Sequence, residues 1–312
     1  MKHLFIINPV ARKVRGKLGA LTERLDSFFK EYPAVNYQVH VTRWERDALG
    51  VIRRHAAESA ELLRVHVMGG NTTVFEAING VMGLPNTQLA IYPMGAQNSF
   101  LRYFGKNKIH LFLSLRSQVF SRTVPIDAFR CGNNYGILQA TIGLEAKANF
   151  NGLKILEKRA LPGELAYALG ALGFIFKKEE FEHEYAIKID DGEERAATYS
   201  SIMASNAPCS GKTLDPAPLA QPNNGFLDLQ FLRNITRLNL VPTLFKYLFN
   251  KTQKIRPSKK CSSVFVSSTS STSPLLVGVD GHIFYENNVE LQVLPYAVDF
   301  VLPPGVKLFE GR

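Results

Sequence analysis

Cysteine is scarce in this chain. Cys131, Cys209 and Cys261 are an odd number with no clustered spacing. That pattern argues against a disulfide framework and a zinc site and suits a reducing cytoplasm. Long apolar runs are missing too. The longest, Leu165 to Phe176, is about 12 residues, too short to span a bilayer. With Lys177 and Lys178 after it the run suits a membrane surface, but it reads first as a buried core helix. No secretory signal precedes the first strand, His3 to Ile7, so a cytoplasmic protein is expected. RNP-like strands, zinc fingers and helix-turn-helix patterns are absent, which leaves nucleic acid out as a partner. Internal repeats are absent as well. Acids are outnumbered, 27 against 37 Lys and Arg, for a formal charge of +10. That excess suits an anionic partner, lipid head groups or nucleotides, and equally suits a basic surface with no function.

What is present is a globular composition, 46% hydrophobic and 21% charged, on 312 residues, long enough for two domains. The stretch from Met68 to Gly80 organises the first. An apolar run, Arg64 to Met68, reads as a buried strand, and Val74, Ala77, Ile78 and Val81 mark a helix at i, i+3, i+4 and i+7. Between them stand Gly69 and Gly70. Glycines at a strand-to-helix turn let backbone approach a ligand, and a helix start offers N–H groups to an anion such as phosphate. Gly-Gly also makes ordinary turns, so the local pattern leaves both readings open.

Around it the rhythm is strand, then helix. Leu4 to Ile7 ends at Asn8-Pro9; four cations, Arg12, Lys13, Arg15 and Lys17, precede a helix marked by Leu18, Leu21, Leu25 and Phe28. Tyr37 to Val41 is a strand, Thr42 is read as a cap, and Ala48, Leu49, Ile52 and Ala56 mark a helix. Gln88 to Met94 is a strand leading into Gly95 to Arg102 and a short helix, and Ile109 to Leu115 has a further helical pattern. Such alternation predicts a mainly parallel, Rossmann-like α/β domain, with ligand at the carboxyl ends of its strands. Past residue 122 short strands dominate, with helical patterns only within Gly163 to Lys177 and around Leu238 to Phe249. This predicts an antiparallel β-sandwich domain. The expected boundaries are 1–122, 123–302 and a tail at 303–312; the Ser/Thr tract Ser267 to Ser273 reads as a loop.

The order of motifs resembles the diacylglycerol kinase catalytic-domain family, bacterial soluble lipid kinases especially and sphingosine kinases more distantly, over about residues 3 to 304. The family's Asn-Pro is matched by Asn8-Pro9. Its Gly-Gly-Asp-Gly-Thr with a following Glu and Asn-Gly aligns with Gly69, Gly70, Asn71, Thr72, Thr73, Glu76 and Asn79-Gly80. Its Pro-x-Gly-Thr-x-Asn-Asp-Phe aligns with Pro93, Gly95, Ala96, Asn98, Ser99 and Phe100. Ile126-Asp127, Gly143 to Ala146, Ala217 to Ala220 with Asn224 to Asp228, and Asp280-Gly281-His282 match later landmarks. The resemblance implies transfer of the γ-phosphate of ATP, with Mg²⁺, to a lipid hydroxyl of diacylglycerol type. Asn8, Gly69 to Thr73, Glu76, Gly95, Ala96 and Asn98 are then nucleotide-site candidates, and Asp280 and His282 catalytic candidates. A peripheral station at the inner membrane surface and a homodimer are compatible with it.

The departures fall on acids. Asn71, Ser99 and Asn224 stand where the family has Asp, and His282 where it has Glu; Thr72 replaces a Gly and Ala96 a Thr. Asn keeps the shape of Asp without its charge, and Mg²⁺ is usually held by one or two carboxylates. The expectation is a divergent, impaired site, the alternative being a non-catalytic relative that binds nucleotide or lipid. Asp280, helped by His282, is the remaining candidate base, and Glu76 a substitute metal ligand. If residue 72 requires a positive φ, Thr72 adds strain of about 1–3 kcal/mol.

Overall fold

Apolar runs and helical periods alternate through the first 120 residues, and the backbone follows them. The computed structural model describes residues 1–58, 60–158, 161, 163–173, 181–211, 214–249, 258–269 and 274–308. They form two compact units, Met1–Ile126 with Tyr296–Arg312, and Asp127–Pro295.

In the first unit β1 (Lys2–Ile7) is followed by α1 (Leu18–Lys30), β2 (Asn36–Val41), α2 (Asp47–Ala57), β3 (Leu63–Gly69), α3 (Asn71–Val81) and β4 (Thr87–Pro93). The strands lie parallel in the order β2-β1-β3-β4. Successive residues of β1 and β3 are buried whichever face they point to, as expected of a parallel sheet covered on both sides. Phe5, Met68 and Tyr92 pack with Leu25 and Phe29 of α1. The pattern at Ile109 to Leu115 is a 3₁₀ segment, Lys106–Leu113, followed by the short α4 (Leu115–Phe120). Phe100–Phe104 is 3₁₀ as well. Thr42 caps no helix: the N-cap of α2 is Arg46, at φ 64°, and its own side chain makes no capping bond.

One polar chain runs through this sheet. His3 Nδ1 meets His66 Nε2 at 2.9 Å, and His66 Nδ1 meets the Tyr92 hydroxyl at 3.2 Å. Burial, then the nearby Arg64 guanidinium and the N-terminus, push His3 down to about 4; burial, then His3 and Arg64, hold His66 well below its usual range. Both are therefore neutral in the folded state at pH 7. Unfolded imidazoles near pH 6.5 take up protons that the folded ones refuse, so this stability is complete above 6.5 and lost as pH falls toward 4. His3 alone is expected to cost roughly 3 kcal/mol by pH 4. Urea midpoints measured between pH 7 and 4 check this: His3→Gln should flatten the profile, and an unchanged slope would refute the assignment.

The second unit takes up β5 (Thr123–Cys131) at Asp127 and adds β6 (Asn134–Gly136), β7 (Gln139–Gly143), α5 (Leu144–Lys158) and α6 (Gly163–Leu172). Then come β8 (His183–Ile189), β9 (Arg195–Tyr199), β10 (Ser201–Ser205), β11 (Leu227–Leu232) and α7 (Arg237–Leu248). β12 (Ser258–Cys261), β13 (Ser263–Ser268), β14 (Leu275–Val279), β15 (His282–Glu286) and β16 (Asn288–Val301) complete the chain. One antiparallel sheet has the order β12-β11-β10-β7-β14-β15; the other joins β9, β8, β13 and the first part of β16, with β5 and β6 alongside. This is an antiparallel, sandwich-like domain. From Tyr296, at φ 55°, β16 belongs to the first unit, where Asp299 and Phe300 pair in parallel with Gln88 and Leu89 of β4.

The strand read across Tyr135 to Thr141 is two strands, and a third helix, α5, joins the two expected. Asn149, Asn151 and Gly152 hide it, being poor helix formers. Gly152 is there for packing: a Cβ would stand 3.2 Å from the Ala166 carbonyl of α6, and one on Gly170 2.6 Å from that of Ala148. On α6 Ala166, Ala168 and Ala171 are buried while Leu165 and Leu169 are partly exposed. Phe174 to Lys178, Ser270 to Ser273 and the end of the tail lie outside the described residues. Among the described residues no helix is long and apolar enough to cross a membrane.

Candidate nucleotide-binding site

The carboxyl ends of β1, β2, β3 and β4 carry the loops that meet in the first unit. β3 stops at Gly69, Gly70 caps α3 in an extended conformation, and no side chain closes that helix start. Gly69 and Gly95 are obligatory for steric reasons. A Cβ on Gly69 would sit 2.4 Å from Thr73 Oγ1, and one on Gly95 2.2 Å from the Gly70 Cα. The two turns therefore touch backbone to backbone.

Asn98 ties them: its Nδ2 donates to the Gly69 carbonyl at 2.9 Å and its Oδ1 accepts from Gly95 N–H at 3.2 Å. Asn8 folds its own turn, accepting from Val10 N–H at 3.0 Å, and donates to Thr73 Oγ1 at 3.0 Å. The cationic loop after it joins through Lys13 N–H to the Met94 carbonyl, with Arg12, Lys13 and Arg15 exposed.

The two neutral replacements turn out to be partners. Asn71 Nδ2 donates to Ser99 Oγ at 2.9 Å, and Ser99 N–H donates to Asn71 Oδ1 at 2.9 Å. Residues 28 apart thus close a reciprocal clasp over the glycine turns. Thr72, by contrast, is exposed on the first turn of α3 and is not among the residues at positive φ. The strain anticipated there does not arise.

Beside the clasp lies a pocket of about 280 Å³ lined by Asn8, Thr42, Trp44, Thr72, Thr73 and Glu76, with Pro9, Val10, Arg43 and Glu45 completing it. Ala96, exposed, follows Gly95 on the neighbouring turn. Thr42 to Glu45, a fourth strand-end loop, carried no motif; its position after β2 was the only signal. Glu76 is buried, and burial raises its carboxyl, opposed by N–H donors from Arg46 and Ala48, with Glu45 and Asp47 also near. It thereby caps α2 from outside. Asp47 is buried too, yet its hydrogen bonds from His40 and the Arg43 backbone outweigh burial and hold it below the usual range.

Asp280 and His282 belong to the second unit, at the β14–β15 hairpin. Asp280 and Gly281 have φ of 50° and 97°, the Asp-Gly signature of a two-residue hairpin turn. The Asp280 carboxylate faces inward and accepts from the backbone N–H groups of Ile137 at 2.7 Å, Leu138 at 3.0 Å and Gln139 at 2.9 Å. Burial lifts it to about 6 against those three bonds. His282 is half-buried at the start of β15, its ring stacked on Phe284. Asn224 accepts from Phe226 N–H in a tight turn.

Residues 2–131 match the profile of the diacylglycerol kinase catalytic domain, and residues 139–302, over half of the chain, that of the YegS C-terminal NAD kinase beta sandwich-like domain. The chain belongs to the YegS-like, diacylglycerol-kinase-like lipid kinase family. A family relative in Shewanella frigidimarina, "Probable lipid kinase YegS-like", is 26% identical over 84% of this chain and 83% of its own. One of the same name in Chromohalobacter salexigens is 25% identical over 96% and 94%. A solved structure from Bacillus anthracis superposes with a TM-score of 0.73 at 20% identity, covering 98% of both chains. Another from that organism, described as a diacylglycerol kinase, gives 0.68 at 19% over 98% of both. At such identities the structures speak for the fold, and the family assignment rests on the profiles.

Proposed function

We propose that this lipid-kinase-family protein binds ATP on the paired glycine turns of its first unit, with phosphoryl transfer to a diacylglycerol-like lipid hydroxyl impaired. The observation that carries the reading is the Asn71–Ser99 clasp. Gly69, Gly70 and Gly95 let two turns pack backbone to backbone beside the uncapped start of α3, whose N–H groups are donors suited to phosphoryl oxygens. The pocket beside them, with the exposed Trp44 ring at its rim, is of a size and polarity that suit the nucleoside. ATP fits these residues.

Mg²⁺ fits them poorly. Asn71 and Ser99 satisfy one another and carry no charge, where one or two carboxylates are the usual hold. Glu76, the substitute considered from sequence, is turned to the α2 backbone. The reading therefore contains no step through a metal. Asp280, with its carboxylate committed to three N–H groups, is assigned a structural post, and His282 remains the titratable side chain at the replaced Glu. A non-catalytic sensor of nucleotide or lipid is the second reading, and the same clasp favours it.

Titration calorimetry with ATP is expected to give an affinity that changes less than about threefold when Mg²⁺ is replaced by EDTA. A loss of tenfold or more without the metal would overturn the account of the clasp. Radiolabelled transfer from ATP to a mixed lipid extract then separates the two readings: measurable labelled lipid supports an impaired kinase, none the sensor.

A further inference from the structure

α7 is apolar on two opposite sides. Leu240 and Leu244 face inward, 4% and 9% exposed, in a cluster with Ala148 and Ala168. At about 100° per residue, Leu238, Phe245 and Phe249 fall in one line some 140° round the helix axis from that pair. All three stand in solvent, at 93%, 56% and 68% exposure, and the two phenylalanine rings lie nearly parallel, 13° apart, with centroids at 6.4 Å. A surface helix normally sets charged and polar residues there.

Along the sequence, charge on either side of this stripe has one sign, and the acid that meets the start of α7 is Glu182, which accepts from Asn234 N–H. From Leu229 to Val279 the sequence contains no Asp or Glu, and it carries Arg233, Arg237, Lys246, Lys251, Lys254, Arg256, Lys259 and Lys260. On α7 itself Arg237 and Lys246 are exposed. An apolar line flanked by cations is complementary to an anionic bilayer, where apolar side chains enter the head-group boundary and cations meet lipid phosphates. A second copy of the chain would bring the same positive charge against it.

We propose that α7 is a membrane-docking element, seating Leu238, Phe245 and Phe249 in the head-group region of an anionic bilayer with Arg237 and Lys246 on its surface. The inference rests on the lipid-kinase reading and adds the face by which the protein reaches its substrate's phase. The contact is peripheral, since α7, at 12 residues, is too short to span.

The test is co-sedimentation of the full chain with phosphatidylcholine vesicles and with vesicles containing 30% phosphatidylglycerol. Binding to the anionic vesicles is expected to be at least tenfold tighter and to weaken in 0.5 M salt. The triple variant Leu238→Ser, Phe245→Ser, Phe249→Ser, all exposed positions, should lose about tenfold or more in vesicle binding at unchanged melting temperature. Arg237→Gln with Lys246→Gln should remove much of the anionic preference and serves if the triple variant folds poorly. Equal binding by wild type and both variants, or no anionic preference in wild type, overturns the proposal. So does a dimer in solution that the triple variant converts to monomer, which would make the stripe a self-association face. ATP binding by the same preparations keeps the two claims apart. Vesicle binding without ATP binding counts against the nucleotide reading, and ATP binding without vesicle binding counts against α7.

Discussion

Asp280→Ala is expected to destabilise the second unit by about 4 kcal/mol, whatever it does to activity. Three backbone N–H groups, at Ile137, Leu138 and Gln139, would be left buried and unbonded, each costing roughly 1–3 kcal/mol. They sit at the break between β6 and β7, so the cost falls on the register of the sheet's centre. Its titration has the opposite sign to that of the histidines. Burial raises Asp280 to about 6, so the folded state holds the proton more tightly than the unfolded one. The stability this contributes is complete below the unfolded value of 3.8 and lost as pH rises through about 6. Urea unfolding at pH 7 measures the substitution: a loss under 1 kcal/mol would mean that the carboxylate is not the anchor. The same result governs kinetics, since lost turnover in an Asp280→Ala protein reports on chemistry only after its folded fraction is known.

The second large effect is expected at the clasp. Asn71→Asp with Ser99→Asp sets two carboxylates where the Asn71 amide now donates to the Ser99 hydroxyl and accepts from the Ser99 backbone N–H, each at 2.9 Å. Like charges so close raise one pKa and strain the turns unless a cation bridges them. Without metal the double variant should melt lower than wild type; with millimolar Mg²⁺ it should recover, while wild type shows no comparable shift. If the missing acids limit the chemistry, lipid phosphorylation should rise about 100-fold, within the range a positioned acid or base supplies. A variant with intact fold, no Mg²⁺-dependent gain in melting temperature and no gain in labelled lipid would mean that the site has diverged beyond this pair.

The glycine turn could be read from sequence because its signals are local: an apolar run, two glycines, then a helical period beginning at Val74. The antiparallel second domain was legible for the same reason, strand by strand. Failures came where structure depends on a distant partner. α5 was not among the helices expected, because Gly152 serves the approach of α6 rather than its own helix. Tyr135 to Thr141 looked like one strand because the carboxylate that turns it belongs to residue 280. Ser99 and Asn71 looked like two separate losses, and only their contact makes them one device. Thr42 to Glu45 joined the pocket through the position of β2 in the sheet, which no residue in that loop announces.

β16 has a consequence for biosynthesis. Its closing residues, Asp299 and Phe300, complete the parallel sheet by lying beside β4, yet the whole of residues 127–295 separates them from the segment they finish. While the ribosome is still making that insert, the emerging first unit carries β4 with one side unzipped, an invitation to pair with a neighbouring nascent chain. Production yield should therefore depend on translation speed and chaperone supply more than the stability of the finished molecule would suggest.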